Sequence, residues 1–263
     1  MLATVPGRLG WSGVTAWPFL LLVPVGISGA LLGWRLSPRV EADQGGGGPN
    51  VGRGWSRLGR SRHQVRRLAG LFAVDAAGGG LVTASFLAYY LTQRYHASVE
   101  ALGVLFFATS VLQALSVWVA PRLADRIGLV PTMVGTHLPS NVLLAAVAFA
   151  PTFPVAVVLL LARTSLSQMD VPTRQALVMQ TVEPGERTSA AAVTNAARYT
   201  VRPFGPLLGG LLQQIALGLP LLVAGTVKGG YDLALWRWSR SAAEAGASAT
   251  GVSAKSPEGS TPA

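Results

Sequence analysis

The 263-residue sequence contains no cysteine. That excludes a disulfide framework, a thiolate metal site and a cysteine nucleophile. Charge is scarce as well: only 12% of the residues are Asp, Glu, Lys or Arg, against about 25% in an ordinary soluble domain. Three histidines, His63, His96 and His137, lie too far apart along the chain to suggest a zinc site. There is no G-x-x-x-x-G-K loop, so nothing points to ATP as a driving force. No Ser/His/Asp arrangement stands out, and neither an enzyme activity, a cofactor nor a metal is expected. What the chain has in plenty is apolar surface: 50% of its residues are hydrophobic and the mean hydropathy is +0.44. A chain this apolar and this poor in charge reads as an all-α integral membrane protein.

Seven apolar stretches are long enough to cross hydrocarbon at about 1.5 Å per residue. They are Trp11–Trp34, Leu68–Leu91, Leu102–Val119, Leu129–Phe149, Phe153–Ala176, Ala190–Ile215 and Leu217–Trp236. The first 30 residues also fit a signal peptide, with Arg8, an apolar run and small residues near Ala30. The run exceeds the usual h-region of about 7–15 residues, which favours a true span. Residues 36–67 form a polar linker with the run Gly45-Gly46-Gly47-Gly48-Pro49 and then Arg53, Arg57, Arg60, Arg62, Arg66 and Arg67. Residues 241–263, rich in Ala, Ser, Gly and Pro, read as a disordered tail.

The net charge of +10 is not distributed like a nucleic-acid footprint. Most of it sits in the linker, which the positive-inside rule puts in the cytoplasm. Alternation then places Arg122, Arg126, Glu186, Arg187, Arg237 and Arg240 inside as well, while the outer connections carry little basic charge beyond Arg94. The expected location is the cell inner membrane, multi-pass, with the linker and C-terminus cytoplasmic and with the lipid bilayer as the chief partner.

The connection after the third stretch reads Ala120-Pro121-Arg122-Leu123-Ala124-Asp125-Arg126-Ile127-Gly128. It resembles the cytoplasmic signature G-x-L-A-D-R-x-G-R-R of the major facilitator superfamily. Leu123, Ala124, Asp125, Arg126 and Gly128 match; Pro121, Leu129 and Val130 depart from the pattern. The segments Leu166–Gln175, Glu183–Arg187 and Thr194–Arg198 resemble the tenth and eleventh helices of bacterial efflux-type permeases of that superfamily. Asp75 with Gly78-Gly79-Gly80, and Lys228-Gly229-Gly230-Tyr231-Asp232, extend the likeness, which covers about residues 11–240. It implies that residues 1–35 are similar to the sixth helix, 36–67 to the central loop and 68–240 to the second six-helix half. Such permeases have two six-helix halves with the substrate site between them. The resemblance therefore implies that five helices of a complete permease are not in this sequence. It implies secondary transport of a small molecule by alternating access, with proton-coupled efflux as one form of it. The alternative is a non-transporting membrane fragment or assembly subunit that needs a partner half, either a missing N-terminal half or a second copy.

By the same likeness, Asp125, Arg126 and Gly128 are candidates for a conformational latch. An acid at a helix terminus is suited to pair with an arginine or with a neighbouring helix N-terminus. Gly205-Pro206-Leu207-Leu208-Gly209-Gly210 matches the tail of the antiporter motif, G-P-x-x-G-G, and reads best as a site of close helix packing.

Ionisable groups inside spans are costly and therefore mark function. Asp75, Arg163, Asp170, Arg174, Arg198, Arg202, Lys228 and Asp232 fall in or beside the apolar stretches. Counted from the cytoplasmic ends, Asp170 and Arg198 come out roughly 14–17 Å deep and Asp75 and Arg174 roughly 10 Å deep. Matching depth predicts pairing of Asp75 with Arg174 and of Asp170 with Arg198. Spacing of four residues also allows internal pairs, Asp170 with Arg174 and Lys228 with Asp232. Arg198 and Arg202 repel one another and need Asp75, Asp170, water or an anionic ligand; Asn195 shares their face. The candidate substrate or proton-coupling set is Asp75, Asp170, Asn195, Arg198 and Arg202, with Arg174, Lys228 and Asp232 as secondary candidates. His137 is expected to be core or pore lining.

Overall fold

A computed structural model describes residues 22–35 and 55–253. The expected span residues 11–21, the glycine run at 45–49, Arg39, Arg53 and the last ten residues of the tail lie outside the described residues. Residues 22–35 belong to a separate unit from the rest and form one helix, α1 (Leu22–Arg35).

The second unit is built from helices alone among the described residues. They are α2 (Arg62–Leu81), α3 (Ala84–Tyr95), α4 (Val99–Ile127), α5 (Leu129–Val147), α6 (Phe153–Ser167), α7 (Asp170–Thr181), α8 (Arg187–Val201), α9 (Phe204–Ile215) and α10 (Leu219–Ser253), with a 3₁₀ turn at Pro184–Glu186 before α8. Three stretches are long and apolar enough to cross a membrane on their own: Arg62–Tyr95, Val99–Ile127 and Phe153–Thr181. The others fall where spans are expected, but Pro139, His137 and Asn141 in α5 and Lys228 and Asp232 in α10 reduce their apolarity.

Three expected spans are therefore pairs of helices rather than single rods. The second breaks at Val82–Thr83 between α2 and α3, the fifth at Gln168–Met169 between α6 and α7, and the sixth at Arg202–Pro203 between α8 and α9. Local chemistry explains two of these breaks. The Thr83 side chain accepts a hydrogen bond from the Phe86 N–H at 3.2 Å and so starts α3 as an N-cap. Pro203 has no N–H to continue the ladder of α8. Boundaries differ at the ends too. The basic residues Arg62, His63, Arg66 and Arg67, expected in the linker, form the first turns of α2. Residues 241–253, expected to be disordered, continue α10, where Ala242, Ala243, Ala245 and Ala247 favour helix.

The helices enclose two apolar clusters. One gathers Val65, Leu68 and Phe72 of α2, Met133 of α5, Leu177 and Val178 of α7, Val193 of α8, and Tyr231 and Leu235 of α10. The other gathers Leu81, Tyr90, Leu91, Leu144, Val147, Ala156, Leu160 and Leu221. Along α2, Asp75 lies between Phe72 and Leu81; along α5, His137 and Asn141 lie between Met133 and Leu144. Apolar layers thus bracket a polar layer in the middle of the bundle.

In lipid there is little hydrophobic drive between helices, so close packing carries more of the association. Gly80 of α2 meets Gly205 of α9 backbone to backbone: a Cβ built on Gly205 lies 2.2 Å from the Gly80 carbonyl carbon. Gly209 sits equally tightly on α2, with a built Cβ 2.7 Å from the Leu81 carbonyl oxygen. The G-P-x-x-G-G segment thus stands at a helix contact.

Candidate functional site

Asp75 is the hub of the polar layer. It is 3% exposed and projects from α2 among groups from four other helices. Lys228 of α10 donates a short hydrogen bond to Asp75 Oδ1. Arg174 of α7 donates to Asp75 Oδ2 at 3.5 Å, Arg198 of α8 lies 3.9 Å from the same oxygen, and His137 Nε2 of α5 lies 3.8 Å from Oδ1. A Cβ on Gly78 would lie 2.8 Å from Lys228 Cγ, so the missing side chain there makes room for the lysine stem.

Arg174 is held twice. Its Nη1 donates to Asp170 Oδ2 at 2.6 Å, one turn earlier on α7, as well as to Asp75. Its guanidinium carbon lies 5.7 Å from the centre of the Phe72 ring, within cation–π range. Asp170 starts α7 directly after the break, where the exposed N–H groups of a helix terminus favour a carboxylate.

Asp232, fully buried on α10, has different partners. His137 Nδ1 lies 2.8 Å from its Oδ1, and the Asn141 amide donates to its Oδ2 at 2.8 Å. His137 therefore links two buried carboxylates, Asp232 through one ring nitrogen and Asp75 through the other. The Tyr231 ring stands edge-on to the imidazole with centroids 6.1 Å apart.

Asp75 and its four partners border a cavity of about 350 Å³. Its charged lining comprises Asp75, Asp170, Arg163, Arg174, Arg198, Arg202 and Lys228, with His137 beside them. Gln113, Gln168, Thr109 and Ser167 add neutral polar groups, and Leu87, Leu105, Phe106 and Leu160 add an apolar wall. A small-molecule site has this composition: concave, partly apolar, with a few converging polar groups.

Of the expected set, Asp75, Asp170, Arg198 and Arg202 share this cavity, together with Arg174 and Lys228. Asn195 does not. It is exposed and borders a separate cavity of about 410 Å³ with Phe72, Arg174 and Arg198. The expected Asp75–Arg174 pair is present at 3.5 Å. The expected Asp170–Arg198 pair is replaced by Asp170–Arg174 and Asp75–Arg198. Arg174, one turn after Asp170 on the same helix, takes the carboxylate that the depth arithmetic gave to Arg198. The expected internal pair of Lys228 with Asp232 is likewise absent among the described residues: the lysine turns to Asp75 and the aspartate to His137 and Asn141.

At the end of α4, Asp125 and Arg126 are exposed and make no hydrogen bond or ion pair among the described residues. Gly128 serves the backbone there. At φ 94° it joins α4 to α5 in a conformation that strains any residue with a Cβ. Its N–H donates to the Ala124 carbonyl at 2.8 Å, and its carbonyl accepts from the Thr132 hydroxyl at 2.7 Å.

Sequence reasoning passed over two members of the layer. Asn141 is uncharged, so a search for ionisable residues misses it. Arg163 is among the ionisable residues of the apolar stretches but stands outside the candidate set, and it has no oppositely charged residue at i±4. Its only signal was its position, ten residues into an otherwise apolar helix.

Comparison with known proteins agrees with this architecture. The family model described as Major Facilitator Superfamily matches residues 2–206 and 68–252. An uncharacterized membrane protein of Saccharomyces cerevisiae is 28% identical over 149 residues, which is 56% of this chain and 33% of the yeast protein. The chain thus spans about a third of that relative's length. An all-helical bundle with membrane-crossing helices and a buried charged cavity, matched over most of its length by one family model, belongs to the major facilitator superfamily of membrane transporters.

Proposed function

We propose that the chain carries out secondary transport of a small molecule across the cell inner membrane by alternating access, coupled to protons and running in the direction of efflux. The observation that carries this reading is the cavity of about 350 Å³ with seven charged side chains, six from five helices and Arg202 from the break after α8, inside a bundle apolar enough to sit in lipid. Ionisable groups kept at such depth despite their cost belong to substrate or ion pathways.

Asp75 is the coupling group in this reading. One carboxylate holds Lys228, Arg174, Arg198 and His137 together. A proton arriving at Asp75 loosens all four contacts at once, and a proton leaving restores them. That is a differential interaction between two states, which any ligand-driven switch requires. His137, between Asp75 and Asp232, offers a route for that proton. The efflux direction rests on the likeness of Leu166–Arg198 to efflux-type permeases. A second six-helix half, from the same polypeptide, another chain or a second copy, completes the pathway.

The test is solute flux in liposomes, with this chain alone and with the chain extended by a first half. A panel of small molecules is followed with and without a proton gradient. Flux that depends on the gradient and is lost in Asp75→Asn supports the reading. Flux indifferent to the gradient removes proton coupling. Absence of flux in both forms leaves a non-transporting subunit.

A further inference from the structure

We propose that the cavity takes an organic anion, whose acidic group sits between Arg163, Arg198 and Arg202. The inference deepens the transport reading above and rests on it for the role of the site. It starts from the pairing within the polar layer. Arg174 is neutralised by Asp170 at 2.6 Å and by Asp75 at 3.5 Å, Lys228 by Asp75, and Asp232 is engaged by His137 and Asn141. With those pairs made, the carboxylates are spent.

Three guanidinium groups remain. Arg198 reaches Asp75 only at 3.9 Å, and its Nε is buried and donates to no described residue. Arg163 makes no ion pair among the described residues, and its Nε is also buried without an acceptor. Arg202 borders the same cavity and makes no ion pair among the described residues. Arg163 and Arg198 are partly buried and Arg202 is exposed, and a partly buried cation without a close counter-charge is unfavourable until something supplies one. Arg163 on α6 and Arg198 on α8 border one cavity together with Arg202, and a cationic lining of this kind suits an acceptor that is negative and has several oxygens. Guanidinium forks match carboxylate, phosphate and sulfonate groups in this way.

The rest of the cavity fits the remainder of such a molecule. Phe106, Leu105 and Leu160 add apolar surface to the same cavity, and Gln113 and Gln168 provide neutral hydrogen-bonding groups. A molecule with an acidic head and a compact apolar or aromatic body is complementary to both kinds of lining. A cationic solute meets Arg163, Arg198 and Arg202 as like charges and is rejected by them.

Benzoate and phenyl phosphate, with the neutral isostere benzamide and the cationic benzamidinium, test this on the purified chain in lipid nanodiscs by ligand-dependent thermal shift. The two anions are expected to stabilise the protein saturably and the other two to leave it unchanged. Arg163→Gln is expected to weaken anion binding roughly ten- to a hundredfold, as loss of a charge-assisted hydrogen bond does. Arg163→Lys, which keeps the charge without the fork, should fall between. Without ligand, Arg163→Gln should melt no lower than the parent, because it removes an uncompensated charge; a structural arginine would lower it. Arg94→Gln, exposed on α3, is the control and leaves binding unchanged. Preference for benzamidinium or benzamide, anion binding indifferent to Arg163→Gln, or no stabilisation by any probe overturns the proposal. Flux measured separately keeps this apart from the transport reading: transport of a neutral or cationic solute sinks the anion assignment and leaves transport standing, and anion binding without flux does the reverse.

Discussion

Asp75 shows how one carboxylate comes to organise a membrane bundle. Three cations and an imidazole converge on it from four helices, whereas Asp170 serves Arg174 alone among them. Removing one partner of a buried ion pair leaves the other uncompensated and costs about 3–5 kcal/mol. Asp75→Asn strands Lys228 and weakens the hold on Arg174 and Arg198, so a loss at the upper part of that range is expected. Asp170→Asn should cost less, because Arg174 keeps Asp75 at 3.5 Å. The double variant Asp75→Asn/Lys228→Met should recover part of the loss, since the charge left buried is removed as well. Melting of the three variants in nanodiscs gives the order, and an Asp170→Asn penalty equal to that of Asp75→Asn would refute the hub. These residues were legible in the sequence because a charge in an apolar run is conspicuous. Their partners were less so. His137 meets Asp232 across 95 positions and Lys228 meets Asp75 across 153, and no spacing rule within a helix reaches that far. The spacing rule gave Asp170 with Arg174 correctly and Lys228 with Asp232 wrongly, since the lysine pairs with Asp75 on another helix.

The elements add two constraints. Helix α9 crosses α2 where Gly205 faces Gly80, with no room for a methyl group. Gly205→Ala must push backbone against backbone, and overpacking of this sort costs about 1–3 kcal/mol. Gly210→Ala, one turn on and facing open space, should instead gain up to about 1 kcal/mol from helix propensity. Opposite signs at two glycines of one motif, read by thermal melting, distinguish a packing contact from general intolerance of α9. The second constraint is a clasp at the start of α2. Glu186 accepts from the Gly59 N–H at 2.7 Å and the Ser61 N–H at 3.2 Å, tying the 3₁₀ turn to the residues before α2. Hydrogen bonding by Ser61, and then by Gly59, lowers the Glu186 carboxyl below its ordinary 4.5. A carboxyl lowered on folding contributes stability above its unfolded value and loses it as pH falls through the folded value. Hydrogen-exchange protection of the Gly59 and Ser61 amides, corrected for intrinsic rate, should therefore drop as the pH falls below about 4.5. Glu186→Gln should remove that step, and a step that survives the substitution would place the titration elsewhere. The breaks in the expected spans had partial signals: Pro203 marks one, whereas Gln168–Met169 carries no residue that forbids a helix. Hydropathy counts apolar residues and does not register an interruption of the helical hydrogen bonding.

At the scale of the whole molecule, charge distribution sets orientation, and the absence of cysteine makes it directly measurable. Arg57, Arg60, Arg62, Arg66 and Arg67 flank the start of α2, and basic residues of this density beside a span are retained in the cytoplasm. If each expected span crosses once, even numbers of crossings would put residues 120–128 and 183–187 on that same side and the connections at 96–98 and 148–152 on the other, which is the topology to test. The clasp between Glu186 and Gly59 requires the start of α2 and residues 183–187 to share a side, which is compatible with that topology. Because the native chain has no thiol, a single introduced cysteine reports one position against a silent background. Thr152→Cys, in the connection between α5 and α6, should react with a membrane-impermeant maleimide in intact cells. Arg60→Cys, whose side chain is 90% exposed in the native protein, should react only after the membrane is opened. The reverse pattern would invert the topology and turn the broader basic end outward. Labelling of both positions in intact cells would break the alternation, and with it the assignment of α2–α3, α4 and α5 as successive crossings.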